Sequence, residues 1–345
     1  MLNLISEPAF CADETNVIAT NQAATALGFD TGTSLEMIPD ENLDAYKTFS
    51  GGILHLTLKT HEQTFDATVT KIEKLNVFVL DSDRTEDVLQ SLALASQHIR
   101  MPLSDVITIA DRLMPELKAS EEENLQAAQL RKALYQIQRI LNNMSSAANA
   151  SKEYMQNMEQ MDATTLFREL MEKASIAAQK ANMHLVYTGP AEPAVTLIDK
   201  EKLEQAVYNL ISNAIKFSPT GAKILCSLTR RSNTLIFTVS DSGTNISREK
   251  QGDIYERFLR LPAVEEGRIG LGLGMFLVRS TAKIHGGTVL IESESDRGTK
   301  VTLTLSIRKD NMGILRSDIL SVDSTGGWDP LPMEFSDVLP AEFYK

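Results

Sequence analysis

The chain has 345 residues, enough for two or three domains. Its apolar fraction of 43% and charged fraction of 23% are ordinary for a soluble globular protein. Acidic residues outnumber basic ones, 46 to 34, and the net charge of -12 argues against a nucleic-acid-binding surface, which requires a basic face. Cys11 and Cys226 are far apart and belong to no CxxC motif, so neither a disulfide framework nor a zinc site is predicted. The sequence shows no apolar run of membrane-spanning length and no signal-peptide pattern, which predicts a cytoplasmic protein without a membrane span.

Residues 1–82 predict a small α+β domain. Short apolar runs on either side of the turn-forming residues 13–16 predict two strands, followed by a helix that ends near Gly28. After short helices and loops, residues 53–59, 64–72 and 76–80 predict three further strands. This order resembles a PAS domain, as does the run 21–24 after the second strand. Two interpretations are open: a small-molecule sensor, or a dimerisation module with a filled core. His55 and His61 are interpreted as ordinary histidines rather than as ligands.

Residues 83–162 show the spacing of a coiled-coil seam, with apolar steps of three and four residues. Ser120 and Glu123 form a capping-box signature at the start of a second helix. Two long helices with one apolar stripe each predict a helical hairpin that pairs with a second copy in a four-helix bundle, and therefore a homodimer. A bundle that serves only as a scaffold has the same pattern. The seam residues are Leu92, Ile99, Leu103, Val106, Ala110, Leu113 and Leu117, then Ala127, Leu130, Leu134, Ile137, Leu141, Met144, Ala148, Ser151, Met155 and Met158.

The stretch 95–103 resembles the phosphoacceptor box of sensor histidine kinases. When Arg100, Pro102 and Leu103 are aligned with the box, Gln97 takes the position of the histidine and His98 the position of its acidic neighbour. A glutamine amide is not a phosphoryl nucleophile, whereas a neutral imidazole is. The candidate catalytic residue is therefore His98, displaced by one position. A bundle without phosphotransfer is the open alternative.

Four ordered blocks within residues 163–310 resemble the ATP-binding domain of sensor histidine kinases, a branch of the GHKL ATPases. They are residues 203–219, 241–246 with 254–260, 270–275, and 297–305. The helices 166–181 and 202–216 and the strands 184–188, 194–199, 235–240, 286–294 and 299–306 predict an α/β sandwich: a mixed sheet with helices on one face.

The resemblance assigns the candidate site residues, with ATP and Mg²⁺ as cofactors. Asn209 and Asn213 share one face of a helix, where Asn213 ligates Mg²⁺ and Lys216 offsets phosphate charge. Asp241 accepts a hydrogen bond from the adenine amino group and Gly243 lets the backbone approach the base. Because Asn209 stands where hydrolytic relatives carry a glutamate base, the site is expected to be kinase-like rather than hydrolytic. The other candidates are Arg257 and Arg260 in the lid, Gly270 and Gly272 for the phosphates, and Thr299 in the closing hairpin.

Two functions are therefore open at the level of sequence. The first is a soluble sensor histidine kinase that phosphorylates itself and passes the phosphoryl group to an aspartate on the receiver domain of a response regulator. The second is an ATP-binding pseudo-kinase that acts as a dimeric scaffold without phosphotransfer. Residues 311–345 predict an irregular acidic tail whose aromatic residues Trp328, Phe335 and Phe343 either dock on a partner or on the core, or are simply solvated.

Overall fold

A computed structural model describes residues 7–60, 63–72, 74–81, 84–113, 120–149, 157–243, 273–294, 298–308 and 329–344, together with Leu2 and Ile5. The strands are β1 (Ala9–Ala12), β2 (Val17–Thr20), β3 (Ile53–Lys59), β4 (Thr64–Ile72), β5 (Leu75–Leu80), β6 (Glu159–Asp162), β7 (His184–Thr188), β8 (Val195–Ile198), β9 (Lys223–Arg231), β10 (Thr234–Ser240), β11 (Val289–Glu294) and β12 (Gly298–Ser306). The helices are α1 (Gln22–Ala26), α2 (Asp40–Thr48), α3 (Arg84–Leu113), α4 (Glu121–Asn149), α5 (Ala163–Lys180), α6 (Lys200–Phe217), α7 (Leu273–Ile284) and α8 (Pro330–Glu334), with 3-10 turns at Leu35–Met37 and Ala341–Tyr344.

The N-terminal domain has the predicted order of two strands, helices and three strands. Its antiparallel strands lie in the order β2-β1-β5-β4-β3. Asn21 fixes the start of α1, because its side-chain oxygen accepts from the backbone N–H of Ala9 at 3.0 Å and of Ala24 at 2.9 Å. The ring of Phe10 stacks on Phe78 at 4.6 Å and on Phe29 at 5.2 Å between centroids. Stacked rings therefore fill the middle of this domain, which is the packing expected of the filled-core interpretation.

Helices α3 and α4 form the predicted hairpin. Ser96 bonds Ser145 and Arg100 bonds Asn142, so the helices run antiparallel. The predicted capping box is present, with the Ser120 backbone N–H donating to Glu123 at 2.8 Å and the reverse contact at 3.3 Å. The hairpin covers only part of the seam: Leu103, Ala110, Leu134, Leu141, Met144 and Ala148 are buried, whereas Ile99, Val106, Leu113, Leu130 and Ile137 are exposed.

The C-terminal sandwich has the predicted mixed sheet. Its strands lie in the order β11-β12-β10-β9-β7, and only the β7–β9 pair in this order is parallel. Helices α5, α6 and α7 contribute to a single core over the sheet. The sequence patterns do not indicate β9 or β6. Strand β6 pairs with β8 in a separate two-stranded sheet, so the end of the segment 83–162 packs with the segment that follows it.

The sheets of the N-terminal domain and the sandwich join into one ten-stranded sheet. Strand β3 pairs antiparallel with β11, with Ile53 opposite Ile291 and His55 opposite Val289. Three ion pairs cross the same junction: Arg279–Asp81 at 3.0 Å, Lys283–Asp66 at 2.8 Å and Arg308–Glu41 at 3.4 Å. The sequence treats these segments as separate domains, and nothing local to either strand predicts their pairing. Within the part of the chain that the structure describes, every helix is too short or too polar to cross a membrane.

The expectation of an irregular tail is wrong for residues 329–344. Asp329 caps α8 by accepting from the backbone N–H of Leu331 at 3.1 Å, and Pro330 occupies its first turn. Phe335 and Leu339 are fully buried, and Tyr344 packs on Tyr135 of α4 at 5.1 Å between ring centroids. The sequence left open whether the aromatic residues dock or are solvated. Phe335 docks on the core of the chain itself. Trp328 lies outside the described residues.

Candidate functional site

Helix α6 carries three of the predicted site residues. Asp199 caps it by accepting from the backbone N–H of Lys202 at 3.1 Å. Apolar residues at helical spacing, among them Leu203, Val207, Leu210 and Ala214, are buried. Asn209, Asn213 and Lys216 follow one another at steps of four and three residues, so they lie along a common stripe, as predicted. Asn209 is buried at 1% exposure, whereas Asn213 and Lys216 are not fully buried.

The turn after β10 brings Asp241 to the carboxyl end of α6. The Asp241 carboxylate accepts from the backbone N–H of Gly243 at 2.8 Å, and the Asp241 N–H donates to the carbonyl of Thr299 at 2.9 Å. A Cβ atom at Gly243 would lie 2.4 Å from the carbonyl oxygen of Phe217, the last residue of α6. Only glycine permits this close approach. Asp241, Gly243 and Thr299 are thus brought together beside the end of the helix that carries Asn213 and Lys216.

The Asp241 carboxyl suits the role that the sequence gives it. Burial raises its pKa, while backbone hydrogen bonds from Gly243 and Thr299 oppose that shift. Those backbone bonds also fix the orientation of the carboxyl group. A half-buried, oriented carboxylate oxygen is an acceptor for an amino group on a planar base, and it discriminates against a base that presents a carbonyl there.

Helix α7 packs directly against α6 at Asn209. A Cβ atom at Gly274 would lie 2.6 Å from the Asn209 side-chain oxygen, so the glycine allows the start of α7 to approach the amide. Gly274 ends the glycine-rich block that the sequence places beside the phosphates. The predicted residues Gly270, Gly272, Arg257 and Arg260 lie outside the described residues.

Two elements that the sequence does not place at this site cover Asn209 and Lys216. Arg139 of α4 donates to the Asn209 side-chain oxygen at 3.2 Å. The same guanidinium pairs with Glu334 at 3.0 Å and with Asp337 at 2.9 Å, both in the C-terminal segment. Asp337 also lies 3.4 Å from the Lys216 ammonium. These three residues are far from α6 in the sequence, and only the three-dimensional fold brings them to it.

Glu334 is the most buried member of this charged cluster, at 1% exposure. Burial raises the pKa of its carboxyl, and the Arg139 guanidinium opposes the shift. Gln205 of α6 donates to it at 3.4 Å and to Asn143 of α4 at 3.1 Å. Removal of one partner from a buried ion pair of this kind lowers the free energy of unfolding by about 3–5 kcal/mol. The cluster therefore ties α4, α6 and the C-terminal segment together.

The candidate phosphoacceptor lies on α3, which contacts α4 through Ser96 and Arg100. His98 and Gln97 are both exposed, as predicted. Ser96 and Arg100 face α4, and His98 lies two residues from each, about 200° around the helix. Its side chain therefore points away from α4, the helix whose Arg139 contacts Asn209 of α6.

A cavity of about 80 Å³ lies at the junction of β3 and α7, away from Asp241. It is lined by His55, Asp66, Asp81, Arg279 and Lys283 among others. Its acidic and basic side chains pair with each other across the junction. His55 is neutral there, because burial and the nearby Arg279 hold its pKa well below the usual range.

Comparison with known proteins agrees with this geometry. Residues 198–309 match the family model described as histidine kinase-, DNA gyrase B-, and HSP90-like ATPase. The matched range contains α6, the Asp241 turn and α7, so the chain is similar to this family over the predicted ATP-binding domain.

Relatives extend the likeness beyond that domain. The adaptive-response sensory kinase SasA of Rippkaea orientalis is 28% identical over 226 residues, 63% of this chain and 57% of that protein. The sensor-like histidine kinase SenX3 of Mycobacterium tuberculosis is 29% identical over 219 residues, 62% of this chain and 52% of that protein. The matched part thus spans little more than half the length of these relatives. The crystal structure of full-length ShkA in complex with AMPPNP shares the fold, with a TM-score of 0.51 and 22% identity over 63% of this chain and 46% of that one.

Proposed function

We propose that the chain is an ATP-dependent protein histidine kinase that phosphorylates His98 and passes the phosphoryl group to an aspartate on a response-regulator receiver domain. The observation that carries the proposal is the approach of the Asp241–Gly243 turn to the carboxyl end of α6. It supports a site in which a carboxylate suited to adenine lies near the amide and ammonium groups suited to a magnesium-bound triphosphate.

Each residue of the proposed site has one task. Asp241 accepts from the adenine amino group and Gly243 leaves room for the ring. Asn213 supplies an amide oxygen to Mg²⁺, which prefers a few protein oxygens together with phosphates and waters. Lys216 offsets phosphate charge, and Arg257, Arg260, Gly270, Gly272 and Thr299 complete the site by resemblance. Bound Mg²⁺ supplies charge neutralisation at the phosphates.

Phosphotransfer requires another arrangement of the chain. His98 points away from α4, the hairpin helix that contacts α6, so we expect its imidazole to meet a nucleotide held by a second copy or by an ATP-binding domain that has moved. The exposed half of the α3–α4 seam supports a homodimer, because a second hairpin would cover Ile99, Val106 and Ile137. In the transfer step a ring nitrogen of His98 bonds to the γ-phosphorus, and the bond to the departing ADP breaks.

The nucleotide site is tested with Asp241→Asn. An amide at this position can turn its N–H₂ toward the adenine amino group, so we expect Mg–ATP to bind roughly tenfold or more weakly. Isothermal titration of the natural chain and the variant measures the difference, with Asp30→Asn, an exposed position in the N-terminal domain, as the matched control. Equal affinity in all three chains would remove Asp241 from the site, and no binding to the natural chain would remove the proposal.

The phosphoacceptor is tested by incubation with γ-labelled ATP. We expect an acid-labile label on the natural chain and on Gln97→Ala, and its loss in His98→Ala. His184→Ala, at another exposed histidine, is the matched control and keeps the label. Nucleotide binding without any label in the natural chain would instead favour the pseudo-kinase scaffold.

A further inference from the structure

We propose that the C-terminal segment 329–344 is a displaceable plug that competes with the phosphate groups of the nucleotide. The inference rests on the proposed function, because it takes α6 as the nucleotide helix. The segment contacts α6 directly at Lys216, through Asp337. It acts on Asn209 indirectly, through Arg139 of α4, which its carboxylates hold in place.

The plug presents negative charge where the nucleotide would. Asp337 lies 3.4 Å from the Lys216 ammonium and 2.9 Å from Arg139. Glu334 lies 3.0 Å from the same guanidinium. A phosphate brought to Lys216 would therefore meet a carboxylate at close range, and like charges at close range in a partly buried site repel strongly.

The same contacts occupy an amide of α6. Arg139 donates to the Asn209 side-chain oxygen, and the Asn209 amide nitrogen donates to the Gln205 carbonyl at 3.0 Å. Two carboxylates of the segment, those of Glu334 and Asp337, hold Arg139 in this position through ion pairs. Removal of the segment would thus take the Asp337 carboxylate away from Lys216 and both carboxylates away from the guanidinium, and a phosphate could take their place.

The segment is held by buried contacts, which a ligand that displaces it has to replace. Phe335 packs edge-on against Tyr208 of α6 at 5.6 Å, and the Lys132 ammonium donates to the Leu339 carbonyl at 2.7 Å. Its helix α8 has five residues, and the following 3-10 turn has four. Because Glu334, Phe335 and Leu339 are buried, opening of the segment is costly, and the phosphate contacts of the nucleotide would have to offset that cost.

The plug is tested with Asp337→Asn, which removes the charge beside Lys216 and keeps the shape of the side chain. The apparent dissociation constant of a site that is open only part of the time exceeds the intrinsic one by the inverse of the open fraction. We expect Asp337→Asn to bind Mg–ATP about tenfold more tightly than the natural chain in isothermal titration. Glu342→Gln is the matched control, since it removes one exposed carboxylate from the same segment, and its affinity should equal that of the natural chain.

A second variant acts on docking at a distance from the phosphates. Lys132→Met removes the bond from α4 to the Leu339 carbonyl and should also tighten Mg–ATP binding. In the natural chain, saturating Mg–ATP should increase hydrogen exchange at the amides of Phe335 and Leu339, which are both bonded within the segment. Circular dichroism of each variant checks that the fold is retained.

The outcomes separate the two proposals. If neither the natural chain nor the variants bind Mg–ATP, the nucleotide site itself is rejected and the plug with it. If the natural chain binds and Asp337→Asn and Lys132→Met bind with the same affinity, or if the amides of the segment exchange no faster with nucleotide, the plug alone is overturned.

Discussion

At the scale of single residues, His285 shows how a buried titratable group supports the nucleotide helix. Its Nδ1 donates to the Thr281 carbonyl at 2.7 Å, so Nε2 accepts from the backbone N–H of Asp199, the residue that caps α6. Burial lowers the pKa of His285, although the bond to Thr281 and the charge of Asp199 oppose the shift. The neutral ring is therefore part of the structure that starts α6.

A pH dependence follows from the lowered pKa of His285. Below the unfolded-state pKa of about 6.5, the unfolded chain takes up a proton that the folded chain refuses. The contribution of this group to the free energy of unfolding is complete above that pH and falls as the pH drops, by up to about 1.4 kcal/mol per unit. We expect His285→Gln, which retains a donor and an acceptor, to show a smaller loss of stability between pH 7.5 and pH 5.5 in urea denaturation. The exposed His184→Gln should follow the natural chain, and an unchanged slope in His285→Gln would contradict this role.

At the scale of elements, the β3–β11 pair depends on one glycine. Gly52 precedes β3 with φ of +89°, and a Cβ atom there would lie 2.3 Å from the Ile291 carbonyl oxygen. Gly28 has nearly the same φ of +86° but no atom within 4 Å of such a Cβ. Substitution by alanine at either glycine therefore carries a similar backbone penalty of about 1 kcal/mol. Only at Gly52 does the added methyl group also clash with β11.

Gly52→Ala should therefore loosen the junction between the two halves of the sheet. We expect faster hydrogen exchange at the amides of residues 53–55 and 289–291 than in the natural chain, because the ladder between β3 and β11 must shift. In Gly28→Ala, exchange at these amides should stay as in the natural chain. Equal exchange at the junction in the two variants would mean that β11 yields to the added methyl group without loss of pairing.

At the scale of the whole molecule, the hairpin leaves an apolar surface for a second copy. Val106 on α3 is 50% exposed in the seam, whereas Ile176 on α5 is 61% exposed away from it. A charge in a buried seam opposes association, while the same charge on a solvated helix face has little effect. We expect Val106→Glu to sediment as a monomer in analytical ultracentrifugation. Ile176→Glu should sediment as a dimer, as the natural chain does. A monomeric natural chain would contradict the proposed bundle.

The sequence predicts each part of the molecule to the extent that the part is determined locally. Strands β1 to β5, both hairpin helices and α6 follow from periodicity and capping, because residues within one turn or one hairpin decide them. The motif predicts Asp241 and Gly243 as site residues, whereas their approach to Phe217 depends on the tertiary fold. The docking of the tail was not found, although Leu331, Phe335, Leu339 and Phe343 recur every four residues. That spacing indicates an apolar face but not the surface on which the face packs. The sequence shows Arg139 only as a charged residue in a long helix and does not indicate its contact with Asn209.

Helix α7 contacts both α6 and the N-terminal domain. One face of the helix reaches Asn209 through Gly274, and another offers Arg279 and Lys283 to carboxylates of the N-terminal domain. This helix of twelve residues therefore links α6 to β4 and to the end of β5, and we expect a displacement of these strands to reach α6 through it. The same helix also packs on the hairpin through Leu273 and Leu277, so it contacts all three parts of the chain.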